Sequence, residues 1–302
     1  MKLAAHHPFL SAKKKAQYLE FNAQRSKAWP VPFEEKIVET AQGHTFIRVS
    51  GPVDAPPLVL LPGGGTHSLM WIPNIAGLSA HYRTYAIDSI IDVGRSANTV
   101  PIKTADDLTQ WLEDLFEALG LRSGVRLVGL SHGAWSAAQY AHRFPARLAK
   151  VVLLAPAGWV LPLSPKFLFS MMRVVLWPRR YFIRKVYLES LPLLVATGEA
   201  GLKLIEEMTE ELALAFECFG LMRMSKLLEP VVVEDAKLNL DVPTLFVVGE
   251  HETIYPAKAA LDRLARVAPQ IKTAVIDGAG HEMTWLKPDA VNRVVLDFLD
   301  AR

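Results

Sequence analysis

Apolar residues fall along this chain in two rhythms, short unbroken runs and longer stretches at helical spacing. The runs Leu58–Leu61, Val125–Leu130 and Val151–Leu154 are rich in Val and Leu, as expected of buried strands, and Thr244–Val248 and Thr273–Ile276 read as strands after them. Tyr82–Ile87 reads as a further strand ending at Asp88. Glu35–Thr40 and His44–Ser50 read as a pair joined at Gln42-Gly43, a hairpin signal. Leu108, Trp111, Leu112, Leu115, Phe116 and Leu119 recur at i, i+3, i+4, i+7, i+8 and i+11. That spacing predicts a helix over Thr104–Leu119, capped by Thr104 with Asp107 and stopped by Gly120. Helices are also expected over residues 11–28, ended by Trp29-Pro30-Val31-Pro32, and over Ala134–Ala141, Pro256–Val267 and Pro288–Leu299. Strands alternating with helices predict an α/β fold with a mainly parallel central sheet covered on both faces.

The alternation stops at Ala157-Gly158, and no strand run appears from there to about Met224. The segment reads as short helices broken by prolines, with Trp177, Phe182, Tyr187, Phe216 and Phe219 among aliphatic residues. Arg173, Arg179, Arg180, Arg184 and Lys185 place positive charge along it. It is expected to fold as a helical cap over residues 158–225, inserted between core segments 1–157, with an N-terminal helical extension, and 226–302.

Composition narrows the class. With 51% hydrophobic and 21% charged residues, a chain of 302 residues has the make-up of a folded globular protein with a large core. A net charge of +2 is too small to argue for nucleic acid. A single cysteine, Cys218, rules out an internal disulfide framework. Lys13–Lys15 are not followed by the apolar core of a secretory signal, and no run reaches the roughly 18 apolar residues of a membrane span. The expected location is the cytoplasm.

The chemistry centres on Gly129-Leu130-Ser131-His132-Gly133, lying between a predicted strand and a predicted helix. Strand, Gly-x-Ser-x-Gly, helix is the layout of a nucleophile elbow, in which a strained turn lifts the serine Oγ clear of the sheet. A Cβ two residues before or after the serine would collide where strand and helix pack. A serine hydroxyl needs a base, and the base an acid to hold its tautomer. His281 follows the last strand in the glycine-rich turn Asp277-Gly278-Ala279-Gly280 and is the candidate base. Gly249-Glu250-His251-Glu252 follows the preceding strand; Glu252 is favoured as the acid, with Glu250 and Asp277 as alternatives. The N–H of His132 and that of Gly64, in the loop Gly63-Gly64-Gly65, are the candidate oxyanion donors. That loop lacks the third glycine of a dinucleotide fingerprint, and no Gly-x-x-x-x-Gly-Lys occurs. Neither His281-Glu282-x-x-Trp285 nor the adjacent His6-His7 has the pattern of a zinc site, so no metal or cofactor is expected. Asp92 and Arg95 are expected in an exposed loop without a catalytic role.

Four motifs carry a family resemblance: Leu60-Leu61-Pro62-Gly63-Gly64, Gly129-Leu130-Ser131-His132-Gly133, Pro243–Glu252 and Gly280-His281. In this order and over nearly the whole chain after residue 34, they resemble the α/β-hydrolase superfamily. Trp29–Glu34 and Pro62–Trp71 are further similar to bacterial serine carboxylesterases of the kind that cleave arylpropionate esters. Pro62 stands where the family usually has histidine, and Glu252 where it usually has aspartate. The resemblance implies an α/β-hydrolase fold and a carboxylesterase with Ser131, Glu252 and His281 as its triad. Serine at the elbow sets aside the dehalogenases and epoxide hydrolases, whose nucleophile is Asp.

The expected partner is a small hydrophobic ester, without nucleic acid or stable membrane insertion and with a homodimer left open. A carbon–carbon bond hydrolase of meta-cleavage products, sharing the triad, is the alternative enzyme. A non-catalytic small-molecule receptor on the same fold is the alternative of another class. Interfacial binding of the basic, aromatic cap segment to anionic lipid is weighed below a solvated helix face.

Overall fold

The central parallel strands of this chain are apolar at nearly every position because each buries both of its faces, whereas the last strand, Lys272–Ile276, lies at the sheet edge with Val275 exposed. This is seen in the computed structural model, which describes residues 8–219 and 232–301. Helix α1 (Ala12–Ser26) is capped by Ser11 and leads into the hairpin β1 (Phe33–Thr40) and β2 (Gly43–Ser50). Then come β3 (Pro57–Leu61), α2 (Ile72–Ser79), β4 (Arg83–Ile87), the short β5 (Ala97–Asn98) and α3 (Ala105–Ala118). The Thr104–Asp107 capping box opens α3 as read from sequence. β6 (Val125–Leu130), α4 (His132–Arg143) and β7 (Leu148–Leu154) complete the first core segment.

Between β7 and the next strand lie α5 (Pro165–Leu176), α6 (Arg180–Ser190), α7 (Pro192–Val195) and α8 (Glu199–Cys218). The chain returns to the sheet with β8 (Thr244–Gly249), α9 (Ala257–Val267), β9 (Lys272–Ile276), α10 (Met283–Leu286) and α11 (Pro288–Asp300).

The sheet order is β1-β2-β4-β3-β6-β7-β8-β9, with β5 pairing on β2. β2 runs antiparallel to both its neighbours, and from β4 to β9 every pairing is parallel. Side chains alternate between two cores with the period-2 rule of a strand. Val59, Leu61, Leu127, Val151, Leu153, Phe246 and Val248 pack with α3, α4 and α9. Leu58, Leu60, Val128, Val152, Leu154, Leu245 and Val247 pack with α2, α10 and α11. This is the α/β-hydrolase fold that the motifs implied.

The inserted helices have a small core of their own, Val174, Ile183 and Val186, with Leu212 and Phe216 against it. The expected boundary at residue 225 falls outside the described residues, as do His6 and His7. Helix α1 does more than cover the body. Phe9 and Tyr18 pack with Ala215, Cys218 and Phe219 of the α8 end, and Arg25 pairs with Glu207 at 2.8 Å. Leu168, Phe169, Met172, Val175 and Leu176 of α5, Trp177 just after it, and Tyr181 and Phe182 of α6 are exposed. Much of the basic charge read there is internally matched, since Arg173 pairs with Glu189, and Arg180 and Arg184 with Glu206. Among the described residues no helix is long and apolar enough to cross a membrane.

Candidate active site

Ser131 joins β6 to α4 with φ 55° and ψ −116°, a conformation that side-chain-bearing residues rarely adopt. Its backbone is held on both sides. The Ser131 N–H donates to Leu154 O (2.8 Å), and Ser131 O accepts from Trp135 N–H (3.0 Å) and Ala157 N–H (3.1 Å). The flanking glycines are required by space. A Cβ on Gly129 would lie 2.3 Å from Gly133 O, and one on Gly133 would lie 2.4 Å from Pro62 O and 2.5 Å from Leu61 O. All the obstructing atoms are backbone, so nothing can rotate away. Gly129→Ala is accordingly expected to cost about 3 kcal/mol of stability, seen as a large fall in Tm by circular dichroism. A Tm equal to that of the wild type would refute the packing account.

Glu252 and His281 come from neighbouring strand ends. Gly249, at the end of β8, lets the two loops touch: a Cβ there would lie 2.5 Å from Ala279 O and from Gly280 O. His251 N–H donates to Ala279 O (2.9 Å) across the same seam. The Glu252 side chain is fully buried. Its Oε1 accepts from the N–H groups of Thr253 (2.7 Å) and Ile254 (3.0 Å), and its Oε2 lies 3.1 Å from His281 Nδ1. An ionised carboxylate only accepts, so the proton on this edge belongs to Nδ1 and Nε2 carries the lone pair. Burial alone would lower the His281 pKa. The charge and hydrogen bond of Glu252, with Glu282 behind them, outweigh it and raise the pKa above the ordinary imidazole value.

The alternative acids are elsewhere. Glu250 is half-exposed and accepts from Gly278 N–H (2.9 Å), and Asp277 is exposed. Sequence reading missed Glu282, a buried carboxyl next to His281 whose pKa is raised, chiefly by burial. Its only signal was a charge directly after His281 and ahead of the apolar Met283 and Trp285. Among the described residues no hydrogen bond joins Ser131 Oγ to the imidazole, a contact that often forms only with substrate bound.

The glycine loop after β3 lies over the elbow. A Cβ on Gly63 would sit 3.7 Å from Ser131 Cβ, and one on Gly64 would sit 3.5 Å from His132 Cβ. The Gly63 N–H points to Met70 Sδ (3.1 Å), and the Gly65 N–H donates to Asp92 Oδ2 (2.8 Å). Among the described residues no acceptor engages the Gly64 N–H between them. His132, the first residue of α4, puts its N–H at the positive end of that helix.

Asp92 and Arg95 correct the sequence reading. Asp92 is 4% exposed rather than in an open loop. Arg95 is half-buried, 3.8 Å over the Phe46 ring and paired with Glu35 at 2.7 Å. The segment folds inward because Asp88 anchors it, accepting from Arg95 N–H (2.7 Å) through Oδ2 and from Ser96 Oγ (2.7 Å) through its backbone oxygen. Asp88 also accepts from Ser68 N–H and lies 3.9 Å from Arg48, which in turn donates to Asn22 (2.8 Å) and Ser26 (2.7 Å) of α1.

The inserted helices reach the same place. Leu212 of α8 lies 3.9 Å from where a Gly65 Cβ would be, and Glu211 forms an ion pair with buried His67 at 2.7 Å. Burial lowers the His67 pKa, and Glu211 more than offsets it.

The sequence profile of the alpha/beta hydrolase family matches residues 58–294. The chain is 33% identical over 281 residues to "Carboxylesterase YbfK" of Bacillus subtilis, covering 91% of each chain. The crystal structure of that carboxylesterase superposes with a TM-score of 0.84, covering 95% of this chain and 99% of the other. Naproxen esterase of Bacillus subtilis superposes at 0.82 with 30% identity, covering 95% and 98%. The meta-cleavage product hydrolase CumD reaches 0.71 at 19% identity, covering 88% and 97%, which is a likeness of fold.

Proposed function

The chain belongs to the alpha/beta hydrolase family, and from that premise we propose a serine carboxylesterase whose triad is Ser131, Glu252 and His281. Ser131 Oγ attacks the ester carbonyl while His281 Nε2 takes its proton. Glu252 stabilises the imidazolium, and the N–H groups of Gly64 and His132 hold the oxyanion. His281 returns the proton to the leaving alcohol, and water, activated by the same imidazole, then releases the acid. The observation that carries this reading is the buried Glu252 carboxylate, fixed by two backbone N–H groups at one oxygen and 3.1 Å from His281 Nδ1 at the other.

Residues 158–225 act as the cap. Glu211 and Leu212 of α8, beside the glycine loop, support that role, and the apolar make-up of the insertion favours a hydrophobic acyl or alcohol part. Cytoplasmic localisation is kept as part of the proposal, in keeping with the lone, buried thiol of Cys218.

The test is pre-steady-state hydrolysis of a series of p-nitrophenyl esters. A burst of nitrophenol near one equivalent of enzyme is expected. No burst and no turnover at any chain length, with cleavage of a dienoate instead, would move the assignment to the carbon–carbon bond hydrolases.

The pH profile has a defined sign. A base must be unprotonated, so kcat/KM is expected to fall toward acid with an apparent pKa above the roughly 6.5 of free imidazole. Removing the charge of Glu252 leaves burial as the dominant influence and moves that limb to lower pH. A profile of residual activity that moved the other way would contradict the pairing.

A further inference from the structure

The oxyanion loop has a support outside the triad. Gly64 presents the donor, yet a triple-glycine loop has little conformational preference of its own. Two clamps flank it: Met70 Sδ under the Gly63 N–H and the Asp92 carboxylate under the Gly65 N–H. We propose that Asp92 is a positioning residue of the esterase, buried beneath the glycine loop to hold the Gly64 N–H in line with the developing oxyanion. This rests on the oxyanion role of Gly64 proposed above.

The geometry is that of a built support. Asp92 Oδ2 takes the Gly65 N–H at 2.8 Å, and Oδ1 takes the N–H of Val93 at 2.7 Å, so each carboxylate oxygen has a backbone donor. A hydrogen bond to a charged acceptor is about twice as strong as one between neutral groups, which suits a loop that must not reorganise during the reaction. The position is also costly. Burial raises the Asp92 pKa to about 6, against the two backbone N–H groups and His67, which lower it. The titratable groups around it are His67 after the loop, Glu211 of α8 paired with His67, and Tyr18 of α1.

The folded pKa lies above the unfolded one. Between about pH 4 and 6 the folded state therefore keeps a proton that the unfolded chain has lost, and stability falls as pH rises through that window.

The test uses the full chain with Asp92→Ala and Asp92→Asn. Asp92→Ala is expected to lower kcat about 100-fold with KM within about threefold, because a donor misplaced by about 1 Å is lost to the transition state more than to the substrate. A trifluoromethyl ketone, which forms a tetrahedral adduct, should bind more weakly by a similar factor. Asp92→Asn keeps one acceptor for Gly65 and should recover about tenfold of the loss. Asn has no proton to lose, so its Tm relative to wild type should rise between pH 4.5 and pH 8.

Unchanged kcat in Asp92→Ala would overturn the inference. So would parallel losses in kcat and KM that Asn does not recover. If Asp92→Ala does not fold, the Asn variant decides through its kcat–KM split and its affinity for the ketone: a fall in kcat and in adduct binding with KM unchanged supports the inference, and wild-type values of both overturn it. A wild type without burst or adduct would instead overturn the esterase reading itself, so the two failures are distinct.

Discussion

Ser131→Ala is expected to lower kcat toward a p-nitrophenyl ester by about 10⁵-fold while leaving the fold intact. The size follows from the loss of the attacking atom, which leaves only the oxyanion donors and binding to act on water. The intact fold follows from the geometry. Among the described residues the Ser131 hydroxyl makes no hydrogen bond, and its backbone is held by Leu154, Trp135 and Ala157 through main-chain atoms that alanine shares. Alanine also meets the same cost as serine at φ 55°. Stability should therefore stay within about 0.5 kcal/mol. The measurement pairs the nitrophenol burst with a thermal melt, and a burst that persists in the variant would remove Ser131 as the nucleophile.

Glu252→Gln should cost about 10⁴-fold in kcat, through tautomer rather than through misplacement. Oε1 is committed to the N–H groups of Thr253 and Ile254, so the glutamine oxygen stays there and its NH₂ faces His281 Nδ1. Nδ1 must then accept, the ring proton moves to Nε2, and the nitrogen required as base is blocked. Glu250→Gln and Asp277→Asn should change kcat by less than about threefold, because neither carboxylate contacts the imidazole. A normal burst in Glu252→Gln would displace it as the acid. Glu282, the other buried carboxyl acting on His281, would then be the next to vary.

The difference between Glu252 and its neighbours shows where the reading of a chain runs out. Three carboxylates lie within loops that end adjacent strands, and spacing favoured Glu252 without separating it from Glu250 or Asp277. What separates them is the passage of one loop over the bare Cα of Gly249, which turns Glu252 inward and leaves Glu250 on Gly278. Asp92 is the sharper case. In sequence it is a charge in a polar loop; in the fold Asp88 draws that loop inward until the carboxylate meets the Gly65 N–H. Glu282 and the Glu211–His67 pair were equally hidden, since each depends on a partner far along the chain or on burial alone.

The main strands, the long helix capped by Thr104, the interruption before α5 and the glycine-flanked elbow were legible in the order of the residues. Those are consequences of short-range rules: side-chain period, capping, turn chemistry and the space a Cβ occupies. Contacts across the fold, by contrast, bring Glu252 to His281, Asp92 to the Gly65 N–H and α1 to α8. Such contacts join loops distant in sequence, and their energies depend on burial and partner distance, neither of which a local pattern encodes.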